Sequence, residues 1–267
     1  MTALPTLFIS HGAPTLAITD TSAHRFLQAL GKQLPHPKAI VVASAHWETT
    51  EPRISAQVRN TTIHDFHGFP DALHRMQYPA PGDPALAAQI AGLLNAAGLG
   101  GTPDPARGLD HGAWVPLSLM YPAADIPTLQ VSLQTAKGPA HHLALGRALA
   151  PLRNQGVLIV GSGSFTHDLG RFHGQPIDTP APPDVVAFAD WFDDALVQNR
   201  QDDLLHYRTR APHAVDNHPT EEHLLPLFVA QGAADGAAAQ RLHDSSEFGI
   251  LRMDAYGFGV EDLQKAS

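Results

Sequence analysis

GVLIVGSG, residues 156–163, is a run of branched apolar side chains that ends in a glycine–serine turn. A short apolar run without polar alternation reads as a strand buried on both faces, the pattern of a parallel or mixed sheet. Working outward, PTLFIS at 5–10, KAIVVASA at 38–45 and IPTLQVSL at 126–133 have the same character. Helical periodicity predicts helices over 21–33, 84–98, 113–121, 139–153, 183–198 and 219–231. Strands alternating with helices define an α/β fold: a central mostly parallel or mixed sheet flanked by helices, with right-handed crossovers. Pro- and Gly-rich stretches at 64–83, 100–112 and 174–184 read as long loops, which in a packed domain tend to carry function. No repeat or linker interrupts the 267 residues, 43% of them hydrophobic, so one domain over 1–267 is expected.

Composition removes several classes of function. A formal net charge of −9, with 17 Lys+Arg and no basic run, lacks the electrostatic footprint of a nucleic-acid binder. No long apolar stretch or basic leader is present, so a soluble, cytoplasmic protein is expected, not a membrane one. Zero cysteines exclude disulfides, thiolate zinc sites, iron–sulfur clusters and a cysteine nucleophile. Against that stand 17 histidines, and imidazole is both the commonest metal ligand and the acid/base of neutral pH.

Position selects among them. Ligands of open α/β sheets sit outside the carboxyl ends of the strands, so a metal site is expected there. The first strand runs into Ser10-His11-Gly12, the second into Ser44-Ala45-His46-Trp47, and the fourth into GSGS with His167 shortly after. A lone histidine at a strand end is commonly structural; three on one edge call for a shared purpose. His111, in LDHGAW, and His223, in HPTEEHLLPL, stand in loops or at helix starts. In the latter segment Pro219 or Thr220 opens a helix with Glu222 and His223 in its first turn, an arrangement that aims a ligand or simply forms a capping box. Asp110 reads as the cap of the helix that follows, and orienting His111 is its alternative role. Trp47 and Trp114 either wall a pocket or pack in the core. Ser162 does not match the G-x-S-x-G nucleophile elbow and reads as part of a turn.

Taken in order, SHGAP, SAHW, HDFHGFP with YPAPG, LDHGAWVPL, GSGSFTHDL and HPTEEHLLPL resemble the DOPA-type extradiol aromatic ring-opening dioxygenases, relatives of the protocatechuate 4,5-dioxygenase catalytic subunit. The likeness runs from about residue 5 to DAYGFG at 254–259. It implies one mononuclear metal held by His11, His46 and His223, with Glu222 as the rival third ligand. It further implies His167 as a fourth metal-site residue or the base, and His111 as a group touching substrate and dioxygen. The loop bearing His64, Phe66 and His67 is expected to line the substrate pocket with Trp47 and Trp114; His67 departs from the tyrosine more usual at its position.

The chemistry so implied is cleavage of a catechol beside its hydroxyls, giving a muconic semialdehyde. A facial set of three ligands suits it by leaving adjacent coordination positions open, as in non-haem Fe(II) oxygenases. Fe(II) is the expected cofactor, and Zn(II) shares the same donors. The partners are then a small catechol and O2. A zinc hydrolase, amidase or deacetylase, is the alternative, because three histidines and a water also serve hydrolysis; a non-catalytic binding protein is the other. A substrate carboxylate would call for a cation, for which Arg75, Arg107, Arg171 and Arg208 are candidates.

Overall fold

The computed structural model describes residues 3–260. Its sheet contains β1 (Thr6–Ser10), β2 (Ala39–Glu48), β3 (Arg53–Ser55), β4 (Thr102–Asp104), β5 (Thr128–Leu133), β6 (Val157–Gly163), β7 (Ala239–His243) and β10 (Ala255–Phe258). A separate ribbon pairs β8 (Ser246–Glu247) with β9 (Leu251–Arg252). The sheet order is β4-β3-β5-β2-β6-β1-β10-β7. β5, β2, β6 and β1 are mutually parallel, whereas β3 and β10 join their outer members antiparallel, so the sheet is mixed.

The four strands legible as apolar runs are the four central ones, and their side chains serve two cores. Leu7, Ile9, Ile40, Val42, Leu158 and Val160 face the helices Ser22–Gln33 and His111–Met120. Phe8, Val41, Ala43, Leu129, Val131 and Ile159 face the helices Pro84–Ala96, Gly138–Leu149, Pro183–Val197 and Leu225–Ala233. Residues alternate between faces with the period of a strand, and both faces are covered, which is why no polar alternation appears.

The helices expected from periodicity over 21–33 and 84–98 start close to their expected positions, each behind a side-chain cap. Thr21 accepts from His24 N, and Asp83 accepts from Leu86 N ahead of Pro84. The last helix is the exception: it begins at Leu225, with residues 219–224 forming turns before it. Pro226 sits in its first turn, where a missing N–H costs nothing. The helix expected over 219–231 is therefore shorter at its start, and Glu222 and His223 belong to the preceding turn.

Candidate metal centre

The carboxyl end of the sheet gathers the histidines. His11 follows β1 and donates its backbone N–H to Gly163 O (2.9 Å), which ties it to the end of β6. His46 lies inside β2, past Ser44, the last residue of β2 that pairs with β6. His223 is brought in by glycine: a Cβ on Gly163 would stand 1.9 Å from His223 O, a space no other residue leaves free. The same carbonyl accepts from Ser164 N at 2.9 Å. Gly163 is thus needed because the 219–224 turn lies directly against β6, and Gly161 because a Cβ there would stand 2.0 Å from Pro226 O in the helix that follows.

His11, His46 and His223 each place a ring nitrogen so that all three lie within 4.8 Å of one another. His11 Nε2 and His46 Nε2 are 3.0 Å apart, about the separation of two donors at right angles around an ion bound at about 2.1 Å. His223 Nε2 is buried without a hydrogen-bond partner. The far ring nitrogens of His11 and His223 have partners. Ser162 commits its hydroxyl proton to Gly112 O, so it accepts from His11 Nδ1–H at 3.0 Å, and His11 Nε2 is left as a bare lone pair. Glu222 Oε1 accepts from His223 Nδ1 at 3.0 Å. Burial, reinforced by neighbouring imidazoles, holds His11 and His223 far below the ordinary histidine pKa. Burial likewise brings His46 to about 4, so all three rings are neutral near pH 7, the protonation state a metal ligand needs. Three neutral imidazoles with ring nitrogens facing one another, one of them buried without a partner, form a donor set that fits one divalent ion.

Two further histidines border this cluster. His111 opens the helix His111–Met120, whose N-cap Asp110 accepts from Ala113 N, Ser44 Oγ and Gln130 Nε2. Asp110 is therefore the cap and does not orient His111. That role falls to Asp65, unremarked in the HDFHGFP motif, whose Oδ1 accepts from both His111 N and His111 Nδ1 at 3.0 Å. Burial opposes the Asp65 charge, but these hydrogen bonds prevail and hold its carboxyl at about 2. His167, after β6, stacks on His223 with ring centroids 3.4 Å apart, and burial lowers its pKa to about 4.

A cavity of about 430 Å³ opens over the cluster, with His11, His46, His111 and His167 on its floor and walls. Phe66 and His67 line it as expected. Trp47, His64 and Trp114 do not. Trp47 neighbours His46 in a strand, so it points to the opposite face, where the Arg107 guanidinium stacks on its ring at 5.0 Å. Trp114 is fully buried, with Nε1 donating to Ile63 O, and His64 donates its Nε2–H to Met76 O behind Phe66. The remaining wall comes from Pro14, Thr15, Leu169, Phe172, Phe248 and Ile250, loop residues that carry no chemical signature in sequence. None of the four candidate arginines lines the cavity. Arg107 pairs with Asp110, Arg171 with Asp184, Arg208 donates to His218 O, and Arg75 ends a short surface helix.

The fold and the site bring together three imidazoles that could hold a metal ion at the carboxyl end of a mixed α/β sheet, with two more imidazoles facing an apolar cavity. Residues 5–259 match the family model described as the catalytic LigB subunit of aromatic ring-opening dioxygenase. The chain is 45% identical to a 4,5-DOPA dioxygenase extradiol of Beta vulgaris, over 95% of this chain and 96% of the relative. It is 42% identical to the Escherichia coli K12 protein of the same name, over 88% and 87%. A crystal structure of the uncharacterized Escherichia coli K12 protein JW3007 superposes with a TM-score of 0.78 at 36% identity, covering 96% of this chain and 100% of that one. The chain belongs to the LigB family of aromatic ring-opening dioxygenases and is an extradiol ring-cleaving enzyme, which sets aside the hydrolase and the non-catalytic readings. Among the described residues no helix is long and apolar enough to cross a membrane.

Proposed function

We propose that this chain, working as one catalytic unit over residues 1–267, opens a 4-substituted, DOPA-like catechol with O2 to a muconic semialdehyde at a single Fe(II) held by His11, His46 and His223. The observation that carries the reading is the convergence of three neutral imidazole nitrogens, one of them buried without a partner. Relatives named 4,5-DOPA dioxygenase extradiol support the substrate class. Fe(II) bound there would supply adjacent open positions for catecholate and dioxygen and a path for electrons between them. Zn(II) suits the same donors and offers no redox chemistry.

The protein's own contribution is positioning and proton transfer. With its Nδ1–H held by the Asp65 carboxylate, His111 has Nε2 free to take a proton from a catechol hydroxyl. His167, neutral at pH 7 and also lining the cavity, serves as the second proton acceptor. Both oxygen atoms of O2 enter the product, so no outside reductant is needed. Phe66, Phe69, Phe172 and Phe248 give the cavity an apolar lining that would receive the ring and exclude water. Because no arginine or lysine among the described residues lines the cavity, a side-chain carboxylate gains no ionic partner inside it.

The test is oxygen uptake and a yellow product from anaerobically iron-loaded protein given a panel of substituted catechols. Uptake matched one to one by ring opening is the expected result; no uptake with any catechol in the presence of stoichiometric iron contradicts the proposal.

A further inference from the structure

The three imidazoles of the cluster are not supported alike. His11 is backed by Ser162, a neutral hydroxyl. His46 Nδ1 lies 3.8 Å from Asp65 Oδ2, beyond hydrogen-bond reach. Only His223 has its Nδ1 on a carboxylate, Glu222 Oε1 at 3.0 Å. That oxygen also accepts from Thr220 Oγ1 at 2.9 Å, which fixes the carboxylate in place. Both partners are largely shielded, with side-chain exposures of 6% for His223 and 17% for Glu222, so the bond is little screened by water.

Proton counting then leaves one arrangement. An ionised carboxylate has no proton to give, so Nδ1 of His223 carries the hydrogen and Nε2 carries the lone pair. That bare Nε2 is the buried atom without a partner. Glu222 groups with His167 and His223, but not with His11 and His46, so its oxygens lie off the point where the three imidazoles meet. A carboxylate on the far nitrogen raises the basicity of a metal-bound imidazole and locks its orientation. We propose that Glu222 is a positioning residue: it is not a metal ligand, and it sets metal affinity by fixing the tautomer and aim of His223. The inference rests on the metal site proposed above.

The probe is Co(II) alone, titrated into metal-free full-length protein and followed by its visible ligand-field absorption. Wild type is expected to bind one Co(II). Glu222→Ala, which removes the acceptor, should weaken binding about 10- to 100-fold. Glu222→Gln, whose amide oxygen can still accept from Nδ1–H, should recover part of that loss with an unchanged absorption envelope. Unaltered Co(II) affinity in Glu222→Ala, beside a wild type that binds, overturns this inference alone. Loss of the spectrum in both Glu222 variants with retention in His223→Ala makes Glu222 the ligand and also overturns it. A wild type that takes up no Co(II) overturns the metal site itself. Should Glu222→Ala fail to fold, nitrogen-15 spectra of the Zn(II)-loaded wild type decide: an Nδ1–H tautomer at His223 supports the proposal, and an Nε2–H tautomer contradicts it.

Discussion

His142 and His223 are both hidden from water, at 0% and 5% exposure, and burial depresses the pKa of each. They differ in what their nitrogens do. At the start of the helix Gly138–Leu149, His142 donates from Nδ1 to Gly138 O at 2.7 Å and accepts at Nε2 from Gln134 N at 3.1 Å, so both atoms are used up by the fold. His223 spends one nitrogen on Glu222 and leaves the other facing His11 and His46. Burial and a shifted pKa therefore do not separate a structural histidine from a functional one; the unspent nitrogen does, and only when other donors meet it. His218 shows the second condition, because its Nδ1 is also unpartnered yet it joins none of the ligand groupings found among the described residues.

Substitutions can break this contrast. Replacing His11, His46 or His223 with alanine should abolish tight metal binding and reduce ring opening to background, since two remaining imidazoles hold Fe(II) poorly; metal analysis by emission spectrometry reads this directly. His142→Gln should leave metal content at the wild-type level. Next in size, His111→Ala and His167→Ala should each lower kcat about 10²- to 10⁴-fold in protein that still carries metal, and equal metal loss in either would instead make that residue a ligand. Asp65→Ala, which frees the His111 ring, should lower kcat about 10- to 100-fold with little change in metal affinity, as steady-state oxygen uptake would register.

The smallest effect is on stability. His142→Gln should cost about 1–3 kcal/mol at neutral pH by disturbing a buried donor and acceptor pair. The folded pKa of His142, about 4, lies below its ordinary value of 6.5, so the native state binds fewer protons than the unfolded chain between them. Its contribution is present above pH 6.5 and is lost as the pH falls towards 4. Thermal melts across that range should show the gap between wild type and variant narrowing on acidification; a gap that widens contradicts the assignment.

The same contrast explains what could be read from the residues alone. β1, β2, β5 and β6 announce themselves because strands buried on both faces are continuous apolar runs, whereas β3, β4, β7 and β10 are three to five residues long and lie at the edges, where pairing depends on neighbours distant in sequence. His11, His46 and His167 are legible because a strand end points them at one edge. Asp65 and Glu222 act through hydrogen bonds to other residues' rings, and an acidic residue beside a histidine in sequence does not say which nitrogen it meets. Trp47 follows a site histidine in the chain but faces away, because one residue along a strand turns a side chain to the opposite face. Trp114, three residues after His111 and so on the same side of its helix, is instead fully buried against Phe66 with Nε1 on Ile63 O, and burial of that kind leaves no mark in the sequence. The helix start at Leu225 was obscured by the acidic turn ahead of it, which mimics a capping box while His223 O is held by Ser164 N.

The most direct test is anomalous diffraction at the iron edge from crystals of the Fe(II)-loaded protein. The account predicts one peak per chain, at bonding distance of about 2.1 Å from Nε2 of His11, His46 and His223, with Glu222 Oε1 still on Nδ1 of His223. A peak that lacks any one of the three imidazoles, or that is bonded by Glu222, contradicts it.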